Sequence, residues 1–290
     1  MITSKRYTFL SLAPSVAIFA VVLVFPLLFI VNLMFKRESL TRPANNGYIG
    51  IDNFVRLAGD ERFWAALLQS GVFSAVSLAV SIPVGILIAL LINRKLRGHG
   101  LLRIVLIVPM VLAPLVVGAV FRFMFDSDGF IGWALSTVGI DAPSFLSLPG
   151  VSLVTVAVVD AWQWTPFVAI VVAAAMETVP QNVMEAARLD GANAWQELWH
   201  FVLPQIRPLL VLVALIRFMD SFREFDKLFI MTNGGPGTTS ETLPIYLWRQ
   251  AFQYLDMGYA AAVGFVVLIV ISIVCSFIVK FFRASKGVSE

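Results

Sequence analysis

The sequence predicts an all-α integral membrane protein with six transmembrane helices and both termini in the cytoplasm (N-in, C-in). Three observations predict it. First, 59% of the 290 residues are hydrophobic and only 13% charged, with a mean hydropathy of +0.87, whereas a water-soluble domain carries about 25% charge. Second, six segments are apolar enough to cross about 30 Å of hydrocarbon, which takes roughly 20 helical residues. Third, lysine and arginine collect in alternate polar segments, as the positive-inside rule requires.

The six segments fall near 9–35, 66–92, 101–125, 151–176, 208–231 and 258–282. The first, Phe9 to Phe35, is too long for a signal-peptide core and lacks a small-residue cleavage site, so it reads as a retained span. The loop after it contains IDNFVRLAGDERFWAALLQS, whose Phe54, Leu57, Phe63 and Trp64 suggest an interfacial helix leading into span two. Pro26, Pro83, Pro109, Pro114 and Pro166 fall inside spans. Packed membrane helices tolerate such breaks because neighbours satisfy the freed backbone groups, and broken helices are common along transport pathways. The 232–257 loop opens with NGGPGTTSETLP, a turn-rich stretch on the outer face.

Orientation follows from the basic residues. Lys5 and Arg6 precede span one, Arg94, Lys95 and Arg97 crowd the 93–100 loop, and Lys280, Arg283 and Lys286 end the chain. The 126–150 loop has Asp126, Asp128 and Asp141 but no basic residue, and the 232–257 loop has only Arg249. Both termini and the 177–207 loop are therefore cytoplasmic. The 36–65 loop, with Lys36, Arg37, Arg42, Arg56 and Arg62, is the misfit.

Composition and motifs exclude several functions. The net charge is only +3, Cys275 is the sole cysteine, and His99 and His200 are the only histidines. These argue against an internal disulfide and a zinc cluster, and no nucleic-acid partner is expected. NGGPG, from Asn233 to Gly237, lacks the lysine of a phosphate-binding loop, and no such motif occurs elsewhere. Any ATP used in transport must then be hydrolysed by another chain. DSDG, Asp126 to Gly129, lacks the later ligands of a calcium loop and reads as a turn. A membrane-embedded enzyme would need a convergent nucleophile, base or metal set, which these residues do not supply.

Charges inside spans carry more information, because each costs at least about 2.5–3.5 kcal/mol at mid-bilayer. Span four holds Asp160 in VVDAWQWTPF, and span five holds RFMDSFREFDK, Arg217 to Lys227. At helical spacing, Asp160, Gln163, Trp164 and Phe167 share one face, and Arg217, Ser221 and Glu224 share another. Acids, an amide, a hydroxyl and aromatic rings suit a sugar or polyol, which offers hydroxyls and a flat apolar face. The plainer alternative is that Arg217 pairs with Asp220 or a neighbouring helix and only holds the bundle together. Part of the second cluster lies near the outer end of its span, where solvent can reach it. Arg122, at the end of span three, is explained by snorkelling.

The longest polar gap of the second half contains EAARLDGANAWQELWHFVLP, Glu185 to Pro204. Glu185, Ala186 and Ala187 are good helix formers. Gly191 permits a sharp turn or close approach of another backbone. Pro204 closes the segment, and Trp195, Leu198, Trp199 and Phe201 give it apolar surface. By composition this is either a docking patch or an amphipathic helix on the membrane or under the bundle.

The same stretch resembles the EAA motif of permease subunits of binding-protein-dependent ABC importers: E-A-A, three residues, G, nine residues, I-x-L-P. Glu185, Ala186, Ala187, Gly191, Leu203 and Pro204 fall in register, with Phe201 where the motif usually has Ile. ARLDGANAWQ, the run around Arg94 to Arg103, TNGGPG and the segment Tyr246 to Ala262 resemble the maltose and glycerol-phosphate branch of sugar permeases. The resemblance implies a type I ABC importer permease fold in a bacterial or archaeal cytoplasmic membrane. It implies that the 180–204 loop is a coupling helix seated on an ATPase subunit, with Glu185, Ala186, Ala187, Asp190, Gly191, Leu203 and Pro204 at that contact. It also implies solute contacts along VVDAWQWTPF and RFMDSFREFDK, at Asp160, Gln163, Trp164, Phe167, Arg217, Ser221 and Glu224. Asp160, Arg217 and Glu224 stand where the maltose-type pattern is neutral, which permits an anionic or unusually polar solute, with Arg217 as the partner of an anionic group.

The implied organisation is an N-terminal span and outer loop over 1–65, a five-span core over 66–282 and a cytoplasmic tail over 283–290. Expected partners are a second related permease, two ATPase subunits carrying ATP and Mg2+, an extracytoplasmic solute-binding protein, the lipid bilayer and a sugar-like solute. No cofactor, metal or catalytic residue is expected on this chain. The alternative is an ion-coupled secondary transporter using Asp160 or Asp220, which predicts inverted repeats; the sequence displays none.

Overall fold

The structure, a computed structural model, describes residues 5–93, 99–126, 128–140, 144–180, 182, 185, 187 and 189–284. Arg94, Lys95 and Arg97 of the basic loop, Lys286 of the tail and Ala186 of the EAA register lie outside these residues. The chain divides into two compact units, 1–63 with 246–270, and 64–245 with 271–290.

In the first unit, the N-terminal run folds as α1 (Lys5–Phe19), a π-helical turn (Ala20–Val24) and α2 (Phe25–Leu33). The window Leu12–Leu33 has no buried residue. A small hairpin follows, with β1 (Lys36–Arg37) antiparallel to β2 (Gly47–Tyr48), and then α3 (Asp52–Ala58). Asn53 donates to the carbonyls of Met34 and Lys36, both at 2.9 Å, and so holds α3 against the end of the first span. Leu57 and Phe63 are buried, so this segment turns much of its expected interfacial surface inward, while Trp64 stays exposed.

The hairpin also constrains the number of crossings. Leu40 N–H donates to Leu255 O at 3.0 Å, and Met257 N–H donates to Glu38 O at 2.8 Å. The end of the first span and the start of the last, α13 in the numbering below (Met257–Ala284), therefore lie on one side of the membrane. The chain between them must cross an even number of times. Three unbroken apolar helices lie in that stretch, Glu61–Asn93, Val151–Met176 and Glu197–Phe222. The bent pair of helices, taken as one broken span, supplies the fourth crossing, which makes six spans among the described residues. Gly258 makes the close approach possible, since a Cβ there would collide with the Lys36 carbonyl oxygen.

The same unit holds two of the misfit loop's basic residues, Arg56 and Arg62. Arg56 pairs with Asp256 at 2.7 Å and lies over the Tyr259 ring, 3.9 Å from its centroid. Arg62 donates to Tyr254 OH at 3.1 Å. These charges are held within a folded cap rather than spread along a short loop of the kind the positive-inside rule describes.

In the second unit, α4 (Glu61–Asn93), α5 (His99–Val111), α6 (Pro114–Phe125), α7 (Phe130–Thr137) and α8 (Val151–Met176) come in chain order. Span three is not straight: its halves meet at 97°. Ala113 is extended, with ψ 135°, because the ring of Pro114 disfavours helical geometry in the preceding residue. Gly85 of α4 allows close contact with α8, as a Cβ there would sit 2.6 Å from Val168 Cγ1. Most of α8 is buried, and it supplies much of the core through Val156, Ala157, Val168 and Val172.

Span five differs most from the expected 208–231. It begins with the short α9 (Ala194–Gln196), passes through a π-helical run (Glu197–Val202) and continues as α10 (Leu203–Phe222). Pro204 is therefore not a stop. It sits in the first turn of α10, where a missing N–H costs least. The helix breaks after Phe222 and resumes as α11 (Asp226–Thr232). Glu224 Oε1 accepts the Lys227 backbone N–H at 3.0 Å and so caps the new start. The chain then forms α12 (Leu243–Trp248), a π turn (Arg249–Gln253) and α13. Between α11 and α12 the NGGPG turn closes on itself, with Ser240 Oγ donating to Gly235 O at 2.6 Å.

Candidate functional site

The second unit brings four charges together at the ends of its apolar helices and within them. Asp160 of α8 and Arg217 of α10 are fully buried. Arg217 Nη2 donates to Asp160 Oδ2 at 2.6 Å and to Ser77 Oγ at 2.9 Å, and Ser77 in turn donates to Asp160. Lys227 of α11 is also fully buried. Its Nζ lies 2.9 Å from Asp160 Oδ1, an ion pair without hydrogen-bond alignment. It also lies 2.8 Å from Glu224 Oε2 and donates to Gln163 Oε1 at 2.9 Å. Gln163 Nε2 then donates to Leu112 O, also at 2.9 Å, at the break of span three. Gly118 of α6 permits this placement, since a Cβ there would stand 3.1 Å from Lys227 Cα.

Two cations thus face two carboxylates, joined to a serine, an amide and the carbonyl of a broken helix. Such a network is weak evidence for stability, because desolvation offsets much of the Coulomb gain. Arg217 Nε and Nη1 have no hydrogen-bond partner among the described residues. The guanidinium lies instead over Trp164, 5.4 Å from the ring centroid, within cation–π range. Trp164 and Glu224 open on the other side to a cavity of about 350 Å3, completed by Asp220, Arg223, Phe225 and Asp226.

Of the residues expected at this site, Asp160, Gln163, Arg217 and Glu224 come together, with Trp164 against them. Ser221 is buried but donates to Phe218 O of its own helix at 3.2 Å. Phe167 meets Trp164 edge-on at 6.5 Å and packs against the core. The expected face of Arg217, Ser221 and Glu224 is not continuous, because α10 ends before Glu224. Asp220 pairs with Arg223 at 3.1 Å rather than with Arg217. Sequence reasoning counts Lys227 among the charges of span five without assigning it to the site, and it misses Ser77. The signal for Ser77 is present: Ser70, Ser74, Ser77 and Ser81 recur on one face of α4, and all are buried.

The loop before α10 is built by two caps. Gly191 has φ +85°, and Ala192 N–H donates to Ala187 O at 3.0 Å, which is a Schellman closure with glycine in the left-handed position. Two residues later Asn193 Oδ1 accepts N–H bonds from Trp195 and Gln196 at 3.1 and 2.9 Å, and Gln196 Oε1 accepts from Asn193 N–H at 2.9 Å. This reciprocal capping box fixes the helix start. Glu185, Leu189, Asp190 and Gly191 are exposed, while Ala187 is buried. Trp195 and Trp199 are exposed, with ring centroids 5.7 Å apart, and Leu198 faces the core at 2% exposure. Of Gly191's two expected roles the turn is the one seen, for among the described residues nothing lies within 4 Å of a Cβ placed there. Leu203 and Pro204 begin α10.

Similarity to known proteins agrees with this architecture. Residues 81–286 match the family model described as "Binding-protein-dependent transport system inner membrane component". A probable ABC transporter permease protein, y4oQ, from Sinorhizobium fredii is 32% identical over 94% of this chain and 89% of that protein. The trehalose/maltose transport system permease protein MalF of Thermococcus litoralis is 25% identical over 96% of this chain and 93% of its own. A crystal structure of a bacterial alginate ABC transporter, in complex with an alginate pentasaccharide-bound periplasmic protein, superposes with a TM-score of 0.80 at 25% identity, covering 94% and 93% of the two chains. The fold is that of a type I importer permease, a multi-pass protein of the inner membrane, and the chain belongs to the family of binding-protein-dependent transport system inner membrane components.

Proposed function

We propose that this chain is one of two related permeases in an ABC importer that moves a sugar-like solute into the cytoplasm. ATP and Mg2+ bind to two partner ATPase subunits, and an extracytoplasmic binding protein delivers the solute. The observation that carries the reading is one uninterrupted helical run, Glu197–Phe222. Trp199 stands exposed near one end and Arg217 is buried near the other, about 27 Å away at 1.5 Å per residue. A push on the capped loop at Glu185, Ala186, Ala187, Asp190, Gly191, Leu203 and Pro204 reaches the charge network along a rigid rod. The two ends then move together between outward- and inward-facing states.

The solute path in this reading follows Asp160, Gln163, Trp164, Phe167, Arg217, Ser221 and Glu224, entered through the cavity at Trp164. The aromatic ring offers a face to a sugar, and the carboxylates accept its hydroxyls. Relatives named for trehalose, maltose and alginate transport support a saccharide as cargo. The ion-coupled alternative is not favoured, because Asp160 already faces two cations and Asp220 is paired with Arg223. Solute-stimulated ATP hydrolysis by the reconstituted complex tests the coupling role. Gly191→Val forces a β-branched residue to φ +85° and is expected to abolish stimulation while the subunits still assemble. Undiminished stimulation in an assembled variant contradicts that role.

A further inference from the structure

The buried network has consumed the positive charge that an anionic solute would need. Arg217 is held by Asp160 at 2.6 Å, and Lys227 is shared between Asp160 at 2.9 Å and Glu224 at 2.8 Å. The adjoining cavity is lined by three carboxylates, Asp220, Glu224 and Asp226, against one guanidinium, Arg223. That guanidinium is itself paired with Asp220 at 3.1 Å. Two aromatic residues, Trp164 and Phe225, complete the wall. Burial strengthens every charge interaction here relative to water, and a cleft lined by one sign of charge repels ligands of that sign.

We propose that Glu224 is a charge filter: by quenching Lys227 while itself facing the cavity, it admits uncharged glycosides and turns away uronate-bearing ones. The inference rests on the reading of this cavity as the solute site. It reverses the expectation that Arg217 receives an anionic group, because Arg217 donates inward, to Asp160 and Ser77, and does not line the cavity. It also separates this chain from the structural relative that works with alginate, an acidic saccharide. Glu224 is the one residue common to the network and the cavity wall that carries a charge, so changing it alters both at once. In Glu224→Gln the wall loses one carboxylate and the Lys227 charge is no longer cancelled there.

The test is saturation-transfer NMR on the complete transporter in nanodiscs, without binding protein, so that the permease alone selects. Trehalose, maltose and an alginate pentasaccharide are the probes, and Trp164→Ala identifies signal from this cavity. The filter predicts Trp164-dependent transfer to trehalose or maltose and none to alginate in the unaltered complex. It predicts that Glu224→Gln brings a Trp164-dependent alginate signal above background. Asp226→Asn, which removes a wall carboxylate outside the network, is expected to raise it less and serves if Glu224→Gln fails to assemble. Trp164-dependent alginate binding by the unaltered complex overturns the filter, as does an assembled variant with no gain. If no saccharide gives Trp164-dependent transfer in any form, the reading of the cavity as the solute site falls, and the filter with it.

Discussion

Arg217 Nη2 donates to Asp160 Oδ2 across 2.6 Å, and both side chains are sealed from solvent. This pair joins α8 to α10, and Lys227 extends it to α11. A buried pair of this kind is costly to break from one side, because the survivor remains charged without a partner. Asp160→Ala is therefore expected to lower the stability of the assembled complex by about 3–5 kcal/mol, read as a fall in its thermal unfolding midpoint. The double variant Asp160→Leu with Arg217→Met removes both charges and is expected to recover much of that loss while transport stays impaired. Normal transport in the double variant assigns the pair to bundle packing alone.

The exposed Trp195 and Trp199 stand on one edge of the capped loop, with their rings 5.7 Å apart. Buried aromatic anchors dominate many interfaces, and truncating one costs about 2 kcal/mol or more. Trp195→Ala and Trp199→Ala are expected to leave membrane insertion intact and to weaken ATPase association roughly 30-fold, measured by titrating ATPase onto the permease pair in nanodiscs. Unchanged affinity in both variants places the grip elsewhere on the loop.

The spans were legible where local signals agreed. The segment 151–176 is legible because an apolar run begins directly after Gly150, which has φ +77° and closes the preceding turn. Gly191 was legible for a related reason, since a motif register names a glycine and a left-handed cap needs one. The start of span five is not legible because Pro204 reads as a stop, whereas it sits in the first turn of α10, directly after a π-helical run. Asp160 and Arg217 stood out by the rarity of charge in hydrocarbon. Lys227 stands among the same charges, but its place in the site is not legible, because charges near the outer end of a span look solvated and only the break after Phe222 turns it inward. The Ser77 contact with Asp160 spans 83 residues, and no local pattern encodes which helix the serine face meets.

Asp60 caps α4 by accepting the N–H groups of Arg62 and Phe63, and it also accepts from Tyr246 OH at 2.5 Å and Tyr259 OH at 2.7 Å. Burial alone would raise its carboxyl, but the bonds from Tyr246, Tyr259, Phe63 and Arg62 outweigh burial and hold it below the ordinary 3.8. A carboxylate whose folded value is depressed stabilises fully above its unfolded value and loses that contribution as pH falls through the folded one. Burial and then the bond to Asp60 push the Tyr246 phenol above its ordinary 10.0, so it remains a donor through neutral and mildly alkaline pH. The hub is expected to hold from about pH 5 to 9 and to weaken below the ordinary carboxylate value. Asp60→Asn should shrink the acid fall in the unfolding midpoint, and Asp60→Ala should cost about 1 kcal/mol as a lost cap. An acid fall identical in Asp60→Asn and the unaltered complex contradicts this assignment.

In the proposed function this chain moves solute only when partner ATPases drive it. The most direct measurement is uptake of labelled trehalose and maltose into proteoliposomes containing the complete complex and its binding protein, with ATP and a proton gradient supplied separately. ATPase-driven transport predicts uptake with ATP inside the ATPase-facing compartment, none with the proton gradient alone, and none by this chain without its partners. Uptake by the isolated chain, driven by the gradient and indifferent to ATP, would contradict it.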